Sequence, residues 1–334
     1  MDQITLQSPF DMHLHLRDGE ILQNVAQHTA KSFSYALIMP NLNPPILDTK
    51  SALAYQQRIL QATQGGDFAP IMSLYLNENL GLDDLQEAKD NGIFILKLYP
   101  KGATTGSENG VSEILSDKIL EILEIAQNLG MILSIHGETN GFVLDREVEF
   151  HSIFEYLAKN FPKLKIIFEH LSDRRSIPLV EKYDNLFATL TLHHILLSLD
   201  DVIGGMLNPH YFCKPILKTK KDQESLLQTA LQAHQKFSFG SDSAPHLKSN
   251  KESQKGSAGI FSAPILLQAL TQTFEAHNAL ENLESFISIN ASKIYGLTRT
   301  SKQITLTKKP FQIPQEYAGI VPMFAGQTLQ WSLA

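Results

Sequence analysis

The chain has 334 residues, more than the roughly 250 that an α/β barrel needs, and 43% of them are hydrophobic, which supplies a large core and excludes a disordered chain. Its 28 basic and 35 acidic residues form no long run of either sign, and a net charge of -7 removes the electrostatic case for a nucleic-acid partner. The single cysteine, Cys213, excludes an internal disulfide. Met1–Asp11 lacks a basic segment followed by an apolar run, and no 18-residue apolar stretch occurs, so the expectation is a soluble, cytoplasmic protein without a membrane partner.

Short apolar runs alternate with stretches of helical periodicity, the order expected of βα units. A short strand, Gln3–Gln7, precedes strand one at Phe10–Leu16. Alternation along strand one turns His13 and His15 to one face and Met12, Leu14 and Leu16 to the other, towards the helices. The pair reads either as a two-imidazole grip on a metal ion or as two hydrogen-bonded barrel histidines. A helix at Glu20–Lys31, strand two at Ser34–Met39, a helix at Thr49–Thr63, strand three at Ala69–Tyr75 and a helix at Asp83–Asn91 follow.

In strand four, Gly92–Leu98, the residues Ile93, Ile95 and Lys97 share a face, so an amine stands where a barrel interior normally takes a branched apolar side chain. Desolvation favours its neutral form, which can react with carbon dioxide to give a metal-bridging carbamate; the alternative is a lysine that snorkels to the mouth. Lys101–Asn109, rich in Gly, Ser and Thr, reads as a mouth loop in which Gly102 and Gly106 permit rearrangement and Thr104 and Thr105 offer hydroxyls. It is either a substrate lid or an ordinary exposed loop.

The helix Ser112–Leu129 carries an apolar stripe through Ile114, Leu115, Ile119, Ile122, Leu123 and Ala126 and stops at Gly130. Strand five, Met131–His136, and strand six, Leu164–His170, each end on a histidine, with helices at Glu149–Phe161 and Arg174–Tyr183. His136 and His170 read as a second set of nitrogen ligands or as core histidines bonded to carbonyls. After strand seven, Leu186–Leu192, His193 and His194 occupy a site-like position, yet consecutive side chains diverge and neither is assigned as a ligand. A loop at Leu207–Lys221 and a helix at Lys221–His234 lead to strand eight, Lys236–Asp242. There Ser238 and Gly240 leave interior space beside Asp242, which reads as a proton shuttle or as a turn cap. A helix at Ser262–Ala276, a strand at Gln303–Thr307 paired with Gln3–Gln7, and a proline-rich irregular extension complete the chain. His28, His151, His234 and His277 fall in helices or their flanks and read as surface or capping residues.

All six groups stand at predicted strand ends, and a (β/α)₈ TIM barrel brings such ends to one rim. The expected architecture is a single catalytic barrel domain over residues 1–334, with terminal segments of about 1–9 and 303–334 packed outside it.

The assembly resembles the amidohydrolase superfamily, and more closely the compact bacterial dihydroorotases. The resemblance rests on Asp11-Met12-His13-Leu14-His15-Leu16-Arg17-Asp18, Met39-Pro40-Asn41-Leu42, Lys97-Leu98-Tyr99-Pro100, Ala103-Thr104-Thr105, His136-Gly137-Glu138, Glu169-His170 and Gly240-Ser241-Asp242-Ser243-Ala244-Pro245-His246. It implies one zinc ion held by His13, His15, carboxylated Lys97 and Asp242, a second held by Lys97, His136 and His170, and a hydroxide between them. It further implies that Arg17, Asn41 and His246 hold a substrate carboxylate, that backbone groups around Ala258, Gly259 and Lys214 contact the ring, and that Thr104 and Thr105 belong to a mobile lid. Lys214 departs from the apolar residue that related sequences often carry. The implied reaction is the reversible interconversion of N-carbamoyl-L-aspartate and L-dihydroorotate, in a homodimer, with Asp242 as general acid and base. Hydantoinase or allantoinase activity is the alternative within the same chemistry, and a non-catalytic scaffold the alternative outside it.

Overall fold

A computed structural model describes residues 2–334; Met1, the first residue of the expected N-terminal extension, lies outside them. Eight parallel strands form the expected (β/α)₈ barrel: Phe10–Leu14, Tyr35–Ile38, Ala69–Met72 continued by Leu74–Tyr75, Ile95–Leu98, Ile132–Ile135, Lys165–Phe168, Leu186–Leu190 and Phe237–Phe239. Strand three joins two runs, because its first part pairs with strand two and its second part with strand four. Strands eight and one close the ring through a Leu14–Ser243 bridge, with the Asp242 amide donating to the His13 carbonyl at 2.8 Å and the His15 amide to the Ser243 carbonyl at 3.1 Å.

The barrel separates two apolar regions. Leu14, Ile38, Leu96, Leu98, Leu133, Ile135, Ile166 and Leu190 face the helices, whereas Phe10, Leu37, Ile71, Ile95, Ile132 and Ile167 fill the interior. Ala291, Ile294 and Tyr295, from a helix at Asn290–Tyr295, pack against that interior group. Met12 belongs to the interior group too, which corrects the expectation that it meets the helices. A register shift between Asp11 and Leu14 breaks the two-residue alternation there.

Several element boundaries move. The expected helix at Ser112–Leu129 runs over Asp117–Asn128, because the Ser116 side chain caps it by accepting from the Ile119 amide, leaving Ile114 and Leu115 in the preceding turn. Glu149–Phe161 resolves into Arg146–Glu149 and His151–Asn160, and Arg174–Tyr183 begins as a 3₁₀ turn before Ile177–Lys182. The terminal strands pair as expected, antiparallel, with Thr5 opposite Thr305. Ser332–Leu333 adds a third strand, and Trp331 is fully buried with its indole donating to Glu275 at 2.9 Å.

One buried carboxylate ties three mouth segments together. Glu147 accepts from the Ser172 amide at 2.9 Å, the Ser172 hydroxyl at 2.6 Å, the Asp173 amide at 3.0 Å and the Ser176 hydroxyl at 2.7 Å, and the Lys218 amine lies 3.8 Å away. This network holds the turn that follows His170. Replacing Glu147 with Ala strands those buried donors, and we expect a loss of about 3 kcal/mol in unfolding free energy. An unchanged denaturation midpoint would show that the network does not hold the rim.

Candidate active site and metal centre

Lys97 is carried by strand four at the level of Ser134 on strand five. Its amine is fully buried, 5.0 Å from the centre of the Tyr99 ring, and has no hydrogen-bond partner among the described residues. Complete burial excludes the snorkelling alternative. Burial also pushes its pKa down to about 8, the direction that leaves a neutral, nucleophilic amine.

The remaining five groups converge around it from positions at or just beyond their strands. His13 and His15 both reach Asp242, with Nε2–Oδ1 distances of 3.5 and 3.1 Å, so one ligand atom from each lies within 4.8 Å of the others. His136 Nδ1 and His170 Nε2 meet at 3.1 Å, and His170 Nδ1 has no partner among the described residues. His170 and Asp242 sit past the ends of their strands with φ values of 42° and 45°, a left-handed backbone that side chains other than glycine rarely adopt. That conformation ends the ladder and turns both groups inward. Burial lowers the pKa values of His13, His15 and His170, keeping the imidazoles neutral, and burial raises that of Asp242. Imidazole nitrogens and a carboxylate are donors that cations such as zinc take, so these residues fit a metal centre.

Space for the cluster is built in at Gly240. A Cβ there would stand 2.9 Å from the His13 Cβ and 3.0 Å from the Thr189 Cβ, so no side chain fits, in agreement with the room expected on that face.

Sequence reasoning assigned no role to several groups beneath the cluster. Glu169, fully buried, accepts from Ser134 Oγ at 2.6 Å and Thr189 Oγ1 at 2.6 Å and meets His13 Nδ1 at 2.8 Å. It thereby turns His13 Nε2 towards Asp242. Glu138 holds His136 Nε2 at 2.8 Å in the same way, and Tyr99 lines the cavity. The parity of Glu169 with Ile167 on strand six was the available signal, since it places a carboxylate on an inward-facing position.

Arg17, Asn41, Thr104, Thr105, Lys214, Ala258 and Gly259 line one cavity with four histidines and Asp242. His246 instead lines the adjoining outer cleft, which shares Arg17, Asn41 and Thr105 with the inner cavity. Arg17 Nε donates to the Pro245 carbonyl at 3.2 Å and its Nη2 lies 3.0 Å from His246 Nε2, the same nitrogen that stands 2.9 Å from the Ala258 carbonyl. Burial, then Arg17, push the His246 pKa down to about 3, so the ring is neutral. The Lys101–Asn109 loop lies inward, with Asn41 donating to the Thr105 carbonyl at 3.0 Å and Tyr75 to the Gly106 carbonyl at 3.3 Å.

His193 and His194 lie outside this cavity lining. They stand on a short helix, Leu192–Leu196, that replaces the expected strand end, and their rings are 4.5 Å apart rather than divergent. Of the histidines expected at the surface or in caps, His277 is exposed and donates from Nδ1 to the Thr273 carbonyl at 2.8 Å, while His28, His151 and His234 are half-buried.

Residues 9–309 match the Amidohydrolase family. A dihydroorotase of Helicobacter pylori is 56% identical over 336 aligned residues, covering 99% of this chain and 98% of that protein. The crystal structure of a Campylobacter jejuni dihydroorotase superposes with a TM-score of 0.94 at 44% identity, covering 99% of this chain and 97% of that one. A Saccharomyces cerevisiae dihydroorotase in complex with 5-fluoroorotic acid gives 0.94 at 33% identity, covering 100% and 99%. The chain belongs to the amidohydrolase family and, within it, to the dihydroorotases. It is an enzyme of a metal-dependent hydrolase class that acts on a small molecule, and no helix among the described residues is long and apolar enough to cross a membrane.

Glu169→Gln keeps the shape but removes one acceptor, and we expect metal affinity to fall by about 10–100-fold, measured by competition with a chelator. Wild-type affinity in a folded variant would remove the carboxylate from any part in positioning His13.

Proposed function

We propose that the chain catalyses the reversible ring closure of N-carbamoyl-L-aspartate to L-dihydroorotate in pyrimidine biosynthesis, as a single catalytic domain over residues 1–334 with the segments 1–9 and 303–334 outside its barrel. The observation that carries the reading is that Arg17 and Asn41 share one cavity with the histidines and Asp242. Dihydroorotate is a cyclic amide that also bears a carboxylate, so its enzyme needs both halves of that cavity.

In this reading Lys97 carries a carbamate, formed when its neutral amine adds to carbon dioxide and loses a proton. His13, His15, Lys97 and Asp242, of which both histidines stand within 3.5 Å of the Asp242 carboxylate, would hold one zinc ion, and His136, His170 and Lys97 a second. Bound there, the ions would supply a water-derived nucleophile at neutral pH and Lewis-acid polarisation of the ring carbonyl. Asp242 accepts the proton of the attacking oxygen and delivers it to the departing ring nitrogen, and the same transfers run backwards in biosynthesis.

Arg17 offers a planar fork to the substrate carboxylate, and Asn41 adds one donor without charge. His246, touching Arg17 and the Ala258 carbonyl, orders the outer end of that clamp. Backbone groups of Ala258, Gly259 and Lys214 meet the ring, so the side chain of Lys214 is free to differ from its apolar counterparts. Thr104 and Thr105 donate to a ring oxygen from the inward loop, and that closure excludes bulk water. The reading takes the cytoplasm as the compartment, on the lone Cys213, and a homodimer as the assembly, on the resemblance to compact bacterial dihydroorotases.

Turnover on dihydroorotate, hydantoin and allantoin tests the assignment. We expect dihydroorotate alone to be turned over efficiently, and the Thr104→Ala, Thr105→Ala double variant to lose kcat/KM for it while keeping its zinc. Efficient hydantoin or allantoin turnover with negligible dihydroorotate turnover would overturn the substrate, and unchanged kcat/KM in the double variant would overturn the lid.

A further inference from the structure

Residue types that can ligate a metal also meet outside the catalytic cavity lining, at His193, His194 and Cys213. His193 and His194 are buried, with 0% and 2% of their surface exposed. His194 is fully engaged, its Nδ1 meeting the Thr191 hydroxyl at 2.9 Å and its Nε2 the Pro215 carbonyl at 3.1 Å. His193 is engaged nowhere, for neither ring nitrogen has a hydrogen-bond partner among the described residues. A neutral imidazole carries one donor and one acceptor, and leaving a buried polar group unpaired costs about 1–3 kcal/mol. The ring therefore stands where something else is meant to meet it.

Cys213 is the third member. Its thiol is buried and donates to the same Pro215 carbonyl, at 3.1 Å. One ring nitrogen from each histidine and the Cys213 sulfur lie within 4.8 Å of one another. We infer that His193, His194 and Cys213 form a second metal site, separate from the catalytic cluster, that takes a thiophilic divalent ion of the zinc class.

Two imidazoles and a thiolate are a borderline-soft donor set of the kind such ions prefer. Bonds of about 2.0–2.1 Å to nitrogen and about 2.3 Å to sulfur require the three atoms to draw in by about 1 Å from their present spread. His193 gains the partner it lacks, while His194 and Cys213 release the Pro215 carbonyl. Burial holds the Cys213 thiol well above its usual range, so the metal-free site carries a thiol. Uptake is then the exchange of one thiol proton, released to solvent, for one metal–sulfur bond, with both imidazoles neutral throughout. Cys213 is followed directly by Lys214, which lines the catalytic cavity, and the Phe212 carbonyl before it accepts from the Gly259 amide at 2.9 Å. An ion at this site therefore bears on the wall that meets substrate.

Cys213 is the chain's only thiol, so a thiolate-to-metal charge-transfer absorption reports this site and no other. Cadmium titrated into the zinc-loaded enzyme should give such a band, saturating at one ion per chain with one proton released per ion. Cys213→Ser should abolish it, and His193→Phe should weaken the midpoint at least about tenfold, the least that even an outer-shell partner contributes. The absence of the band from folded wild-type enzyme at saturating cadmium would overturn the site and leave a buried water as the partner of His193. A band of unchanged midpoint in His193→Phe would equally overturn it, since Cys213 would then bind the ion without the histidine pair.

Discussion

Lys97 places an amine in the barrel interior, without a hydrogen-bond acceptor among the described residues and without contact with solvent. Burying an ammonium in that position costs several kcal/mol unless it is neutralised or paired, and the surroundings depress its pKa accordingly. In the proposed reading the arrangement becomes favourable once the amine is converted to a carbamate shared by cations. On that reading much of the rim follows: four imidazoles, one carboxylate and no side chain at Gly240. An apolar residue at position 97 would suit the barrel interior better.

The second constraint is orientation. His13 is turned by Glu169, and Glu169 is itself held by the hydroxyls of Ser134 and Thr189 on the neighbouring strands. Such a chain of contacts fixes which ring nitrogen faces the centre, which the imidazole alone cannot do. The left-handed backbone at Arg17, His170 and Asp242 belongs to the same design, since these three residues leave their strands abruptly and aim inward. On the substrate side, the Lys251 amine binds the carbonyls of Phe212, Ser257 and Gly259 at 2.7–2.8 Å, which knits the loop carrying Ala258 to the loop carrying Lys214.

The barrel and the convergence of His13, His15, Lys97, His136, His170 and Asp242 were legible because they depend on strand periodicity and strand ends, which one sequence displays directly. Met12 was misread because strand one shifts register against strand two between Asp11 and Leu14, an irregularity that alternation in the sequence does not display. Glu169 and Glu138 stood inside recognisable motifs, yet their part lies in contacts with His13 and His136 that spacing does not reveal. His193 and His194 were expected to diverge because a strand was extended to Leu192, where the Thr191 side chain instead caps a short helix by accepting from the His194 amide. In each case local pattern yielded to a tertiary contact or a cap.

Anomalous diffraction at the zinc edge from crystals of the fully metal-loaded enzyme tests the central claim most directly. The account predicts two ions, one among His13, His15 and Asp242 and one between His136 and His170, with density continuing past the Lys97 nitrogen to meet both. A single ion at that centre in a fully loaded sample, or a bare Lys97 amine between two ions, would contradict it.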